Sequence, residues 1–252
     1  MNEMTNRKKD SIQMLLASYP RKHPVLPESY QKIYEQHYKE NRDGATRASA
    51  YARKFEGCVH KKIAKSARGG VQKTLEIGAG TLNQLNYERT EIYDIVEPFQ
   101  MLFKNSANLK YVRNIYSDIS EIKYEKYDRI TSIACFEHVE DLPKMVRLTT
   151  RLLNKNGKLY IVIPNEGKLL WKLAYMATTG REFEKRYGLK YETMIRHEHI
   201  NTADEIEKIL KHYYKKVKVC FFGIGRTFSI FRYYECGLPR KREMKPVNKK
   251  QN

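Results

Sequence analysis

Two groups of residues have types and spacing that could do chemistry. In the first, an apolar run ends in Glu76-x-Gly78-x-Gly80, and the next apolar run ends in Val96-Glu97-Pro98. Gly78 and Gly80 have no side chain, so the backbone can turn tightly there and approach a ligand closely. Glu97 could accept hydrogen bonds from the two hydroxyls of a ribose. This layout suits a nucleotide-type ligand lying across the ends of two parallel strands. It is not a dinucleotide fingerprint, because Asn83 stands where G-x-G-x-x-G needs its third glycine, and no G-x-x-x-x-G-K-[ST] phosphate loop exists. In the second group, Glu137-His138 follows an apolar run and Arg196-His197-Glu198-His199 precedes a later one. Histidine titrates nearest to neutral pH, so His138 and His199 are candidates to take a proton from a hydroxyl nucleophile. Glu137 is their acidic neighbour, and His197 is a further candidate that could equally anchor a loop.

The elements that must position these groups can be read from periodicity. Strands are expected at 73–77, 92–96, near 110–112, at 129–134 and at 158–163, with a helix starting near Pro98. Leu142, Met145, Val146, Thr149, Leu152 and Leu153 recur at helical spacing, so a helix is expected over 142–153, stopped by Asn156-Gly157. A polar, aromatic insertion spans 165–199, a helix 203–213, and two strands at 217–222 and 227–233 flank a glycine turn as an antiparallel hairpin. Ahead of this core, residues 1–25 read as flexible apart from the apolar patch at 12–16. Helices are expected over 28–41 and 46–66, and Arg68-Gly69-Gly70 reads as a linker. Alternating strands and helices imply an α/β fold with a mainly parallel sheet covered on both faces. The expected organisation is a leader and helical lid over 1–70, a core domain over 71–238, and a basic, disordered tail over 239–252.

From 71 to 234 the order of motifs resembles the class I S-adenosylmethionine-dependent methyltransferases of the small-molecule type. The matching pieces are Leu75-Glu76-Ile77-Gly78-Ala79-Gly80, Asp94-Ile95-Val96-Glu97-Pro98, Ser117-Asp118-Ile119, Tyr127-Asp128-Arg129-Ile130, Phe136-Glu137-His138-Val139, Leu152 to Gly157, and Ile163-Pro164-Asn165. The leader from Leu26 to Arg42 resembles methyltransferases of bacterial surface-polysaccharide biosynthesis. The resemblance implies a seven-stranded, Rossmann-like sheet ending in an antiparallel hairpin. It implies that Glu76, Gly78, Ala79 and Gly80 surround the methionine part of the cofactor and that Glu97, with Pro98 after it, binds the ribose. Asp118 would reach the adenine amino group with Ile119 near the ring, and Ala134, Cys135 and Phe136 would line the methyl donor. Tyr38 and Arg42 would fold over the cofactor, Arg42 close to its carboxylate or to an anionic acceptor. The usual third glycine is Leu82 here, and the Pro-Gly-Gly turn before strand five is Lys155-Asn156-Gly157.

Such an enzyme must hold a nucleophile about 3 Å from an already activated methyl group and help a hydroxyl lose its proton. Small-RNA 2′-O-methyltransferases and some quinone O-methyltransferases carry Glu-x-x-Glu-His after strand four and hold a divalent metal with it. Here Glu137 and His138 match the last two positions, His199 could be the later ligand, and Ala134 replaces the first acid. With that acid missing, no metal is expected, although a mixed Glu/His set can hold one with open positions.

The 252 residues, 41% of them hydrophobic, suffice for one large α/β domain. No apolar run reaches the roughly 18 residues of a membrane span. The polar N-terminus lacks an apolar signal core, and the four cysteines show no C-x-x-C pair, so a cytoplasmic protein with reduced thiols is expected. A net charge of +19 fits an anionic partner such as a nucleotide- or lipid-linked sugar, RNA or an acidic membrane, or simply a lysine-rich solvated surface. No RRM or KH signature is present, so nucleic acid is not the favoured partner. The expected activity is methyl transfer to a small or carrier-linked acceptor, a sugar hydroxyl or amine in glycan biosynthesis. The alternatives are an RNA 2′-O-methyltransferase and a non-catalytic cofactor-binding protein.

Overall fold

The central strands β1 (Lys73–Ile77), β2 (Ile92–Val96) and β4 (Tyr127–Ile133) are buried on successive residues, as inner parallel strands are, even where they carry polar groups such as Glu76, Asp94 and Arg129. In this computed structural model, which describes residues 2–31, 33–34, 57–67, 72–166 and 179–240, they form the middle of a seven-stranded sheet. The other strands are β3 (Asn114–Tyr116), β5 (Leu153–Pro164), β6 (Tyr214–Ile224) and β7 (Phe228–Pro239). The order is β3-β2-β1-β4-β5-β7-β6. The β3–β2, β2–β1, β1–β4 and β4–β5 pairs are parallel, and β7 runs antiparallel between β5 and β6. The chain runs outward from β1 to β3 and then returns to β4. The carboxyl ends of β1 and β4 therefore flank the switch point at which open α/β sheets bind ligands.

Helices cover both faces. On one, Leu142 and Val146 of α2 (Leu142–Leu152) and Ile206, Ile209 and Leu210 of α5 (Ala203–Tyr213) pack on Leu75, Ile77, Ile130, Leu159 and Ile161. On the other, Val59 and Ile63, in the helical residues 57–64, pack on Tyr160, Val162 and Tyr233. A capping box fixes the start of α5: Thr202 Oγ1 accepts the Glu205 N–H, and the Glu205 carboxylate accepts the Thr202 N–H. All four cysteines are free thiols. Among the described residues no helix is long and apolar enough to cross a membrane.

Several elements differ from expectation. Residues 2–17, expected to be flexible, form α1 (Asn2–Ala17), whose end sets Leu15, Leu16 and Tyr19 against the main core. That tertiary contact overrides the polar character of the segment. Strand three lies at Asn114–Tyr116, because 109–111 are taken up by a tight turn. No long helix follows Pro98, only a short turn at Gln100–Leu102. β6 and β7 extend beyond their expected ends because they pair with each other over their whole length, and β5 begins earlier than expected, with Leu153 opposite Tyr127 of β4. The 165–199 insertion contains α3 (Thr179–Tyr187) and α4 (Tyr191–Glu198). Of the expected N-terminal helices, 28–31, 33–34 and 57–64 are helical. Tyr38, Arg42, the Gly69-Gly70 linker and the tail from 241 lie outside the described residues. Lys215, Lys216 and Lys218 lie on the edge strand β6 and are exposed, where lysine also discourages pairing with another chain.

Candidate active site

The glycine turn after β1 is built for close approach. Gly78 has φ +71°, donates to Val96 O at 2.9 Å, and would place a Cβ 2.5 Å from Cys135 Sγ. Only glycine satisfies both the left-handed backbone and the contact that closes β1 onto β4. Gly80 N–H donates to Glu97 Oε2 at 2.8 Å, and Phe99 N–H to Glu97 Oε1 at 3.1 Å. Glu97 is thus a buried strut between the loops after β1 and β2, and each carboxylate oxygen keeps acceptor capacity for a further hydroxyl.

The remaining residues expected around the cofactor divide by depth. Glu76 is buried and its Oε2 accepts the Tyr93 hydroxyl at 2.8 Å. Burial lifts its carboxyl to about 8, against the Tyr93 bond, which lowers it. Ala79 is buried beside the turn, and Ile119 and Phe136 belong to the core, supporting the rim from below. Asp118 is exposed, and its bond to Ser120, with the Ser120 N–H 2.7 Å from Oδ1, holds its carboxyl below the usual range. Ala134 ends β4 with φ +47°, an unusual conformation for a non-glycine residue, and turns the chain toward Cys135. Exposed Pro98 leads to Phe99 and Met101, which are 64% and 73% exposed beside Glu97. The sequence reading missed these two apolar groups, although Phe99 directly follows the quoted motif.

The second group of residues gathers at the end of β4. Phe136–His138 forms a single tight turn. His138 Nδ1 lies 2.9 Å from Glu198 O, and a carbonyl only accepts, so Nδ1 carries a proton and, in the neutral imidazole, the lone pair is on Nε2. His199 meets His138 edge to face, with ring centroids 4.6 Å apart. Glu137 Oε1 is 4.0 Å from His138 Nε2, and Glu137 Oε2 is buried with no hydrogen-bond partner. Desolvation lifts the Glu137 carboxyl to about 8. Burial, and then the His138 charge, lower His199 to about 3. The Glu166 carboxylate lies directly against His199 Nδ1 and opposes that shift; we take His199 as neutral, its Nδ1–H facing Glu166. Sequence reading did not identify Glu166. Asn165 fixes its position by donating to Ser229 O and Arg226 O, both at 2.9 Å. His197 is turned away: its Nδ1 lies 2.5 Å from Pro24 O, and His23 Nδ1 lies 2.7 Å from His197 O, so it anchors the N-terminal segment.

The raised Glu137 value has a consequence for stability. Glu137 titrates near 4.5 in the unfolded chain and near 8 in the fold, so the folded state holds the proton more tightly across that interval. Stability is therefore highest below about pH 4.5 as far as this group is concerned, and is lost as pH rises to about 8. Glu137→Gln is expected to reduce that decline, leaving the comparable slope due to Glu76, which burial also lifts to about 8. Thermal midpoints of the ligand-free variant and parent, measured between about pH 5 and pH 8, should diverge with rising pH. Parallel curves would show that Glu137 is ionised in the fold.

A doubly covered parallel sheet closed by an antiparallel β7, with a glycine turn braced by an acid at its switch point, is the architecture of the Rossmann-like S-adenosylmethionine-dependent methyltransferases. The chain belongs to the family described as a methyltransferase domain, whose model matches residues 33–213. No curated protein matches the sequence. Among solved structures, the plantazolicin methyltransferase BamL, in complex with a triazolic desmethylPZN analog and SAH, is similar at 12% identity over 90% of this chain and 98% of that one, with a TM-score of 0.56. The plantazolicin methyltransferase BpumL, with a monoazolic analog and SAH, gives 15% identity, 92% and 99% coverage and a TM-score of 0.55. A Thermotoga maritima SAM-dependent methyltransferase, described as a possible histamine N-methyltransferase, gives 14%, 82% and 97%, and 0.51. The chain spans about half the length of Haemonchus contortus phosphoethanolamine N-methyltransferase 2, at 52% of that chain. At these identities the likeness establishes the fold.

S-adenosylmethionine is the cofactor of this class, and the residues present fit it. The Gly78–Gly80 turn keeps a bare backbone at the switch point, with Gly78 in the left-handed region and closed against Cys135, and Glu97 presents a braced carboxylate beside exposed apolar Phe99 and Met101.

Proposed function

We propose that the protein methylates a hydroxyl of a small or carrier-linked acceptor, with a nucleotide- or lipid-linked sugar as the substrate class and a sugar amine as the variant needing least help. The single observation that carries this reading is the His138 imidazole. It is fixed through Nδ1–H to Glu198 O, with its lone pair on Nε2, at the carboxyl end of β4 next to the glycine turn. Bound S-adenosylmethionine supplies a methyl group already activated on a sulfonium. His138 Nε2 takes the acceptor proton, and the Nδ1–H···O bond to Glu198 steadies the imidazolium that forms. His199, beside Glu166, is the weaker base of the two, because burial and then the neighbouring His138 imidazole lower it to about 3. Glu97 and the Gly78–Gly80 turn hold the cofactor. In this reading the segment at 19–31 and helices α3 and α4 cover the acceptor, and the +19 charge suits a phosphate-bearing carrier.

A second reading rests on the same cluster. One donor atom each from Glu137, His138 and His199 lie within 4.8 Å of one another, and the unpartnered Glu137 Oε2 is the kind of group a cation would satisfy. These three residues would hold a divalent metal, which would lower the pKa of an acceptor hydroxyl, as in an RNA 2′-O-methyltransferase. The deciding experiment incubates the protein and S-adenosylmethionine with a panel of nucleotide sugars, lipid-pyrophosphate sugars and short RNAs, with and without chelator, and detects methylated product by mass spectrometry. Sugar methylation indifferent to chelator supports the first reading. Chelator-sensitive RNA methylation, with binding that weakens steeply as salt rises, replaces it with the second. Cofactor binding without any product across the panel favours a non-catalytic role.

A further inference from the structure

We propose that Asn201 is the positioning residue of the Glu137-His138 turn, and that Tyr19, from the N-terminal segment, sets the direction in which its amide works. The proposal rests on the reading of His138 as the base. The turn at 136–139 leaves β4, so its carbonyls have no strand partner. One segment supplies partners to three of them. Asn201 Nδ2 donates to Phe136 O at 2.9 Å and to Val139 O at 2.7 Å, while the N–H groups of Ile200 and Asn201 donate to Glu137 O at 2.9 and 3.1 Å. Asn201 is 2% exposed and lies two residues after His199. The same side chain thus fixes the turn bearing His138 against the segment bearing His199.

An asparagine amide can face either way, and reversed it would set an oxygen against the turn carbonyls. Tyr19 decides the orientation. Its hydroxyl donates to Asn201 Oδ1 at 2.6 Å, which turns Nδ2 toward the carbonyls. Burial pushes the Tyr19 hydroxyl up to about 12, so it remains a donor at any physiological pH. Tyr19 is itself held: the Arg21 guanidinium lies over its ring at 4.4 Å, and Arg21 N–H donates to Glu140 O at 2.8 Å. Arg21 also donates to Ile200 O at 2.6 Å and pairs with both Glu205 carboxylate oxygens at 3.1 and 2.7 Å. Residues 19–21 therefore clasp the exit of β4 and the start of α5 together, with the Tyr19–Asn201 bond between them.

The test is Tyr19→Phe, which keeps the ring under Arg21 and removes one hydroxyl, together with Asn201→Ala. Imidazole nitrogen NMR of His138 and His199 is recorded in each folded variant, alongside kcat and cofactor affinity. Both variants are expected to disturb the two imidazole signals and to lower kcat by roughly 10- to 100-fold, the cost of slight misplacement at a reacting group, with cofactor Kd unchanged within about twofold. Unchanged imidazole signals in Tyr19→Phe, and in an Asn201→Ala variant that still melts cooperatively, overturn the proposal. Disturbed signals with intact turnover support the positioning and overturn His138 as the base.

Discussion

Replacing Glu97 by alanine is expected to weaken S-adenosylmethionine binding by on the order of 2–4 kcal/mol, or about 30- to 1000-fold. Two losses combine. The ribose hydroxyls lose acceptors, at least one of them charge-assisted. The cofactor loop also loses its brace, because the Gly80 and Phe99 N–H groups, now bonded to Glu97 at 2.8 and 3.1 Å, would have to find other partners. Glu97→Gln separates the two. It keeps one acceptor oxygen, and so one of the two backbone N–H bonds, without the charge, and should fall between the parent and alanine. Titration calorimetry reads all three. An unchanged Kd in Glu97→Ala would remove Glu97 from the cofactor site, and absence of binding by the parent protein would remove the cofactor assignment itself.

His138→Ala is expected to keep cofactor affinity and to lower turnover by roughly 10²- to 10⁴-fold, the range for removing a positioned general base. The effect should exceed that of His199→Ala. His138 stands on a turn anchored to the rigid sheet, and its proton-bearing nitrogen is fixed on Glu198 O, whereas burial, and then His138, lower His199 to about 3 and make it a weak base. Steady-state kinetics with calorimetry on both variants makes the comparison. A larger loss at His199 would transfer the role to that residue. Activity within a few-fold of the parent in both would mean an acceptor amine that needs no base. Equal collapse of both variants, with loss of parent activity in chelator, would indicate a metal held by Glu137, His138 and His199.

The glycine turn and the acid that braces it were legible in the chain because they are local. Glu76-x-Gly78-x-Gly80 and Glu97 each sit at the end of an apolar run, and strand ends in a parallel sheet meet at one edge. The switch point therefore follows from element order alone. The expectation for strand three failed because Leu109–Tyr111 turns rather than extends, a choice the short apolar run at 110–112 does not reveal. The N-terminal helix was missed because residues 1–10 show no apolar stripe, and the contacts that hold its end are with Leu15, Leu16 and Tyr19 in the core.

The acceptor half was legible only as residue types. Sequence offered His138 and His199 ahead of His197, and His138 first for its place after strand four, but nothing in their spacing shows which of them meet. The tertiary structure separates them. His138 and His199 meet 4.6 Å apart, while His197 turns to Pro24 and His23. Glu166 and Asn201 carried no signal, because an acid after a strand and an asparagine before a helix are ordinary in isolation. By itself, then, the chain determined the parallel sheet, its glycine turn and the acid that faces it, all set by periodicity and backbone conformation over a few residues. Which imidazole is fixed through Nδ1, which carboxyls burial raises, and which amide holds the turn were decided only in the fold. Burial and hydrogen bonds between segments about sixty residues apart, such as His138 with Glu198, are properties of packing.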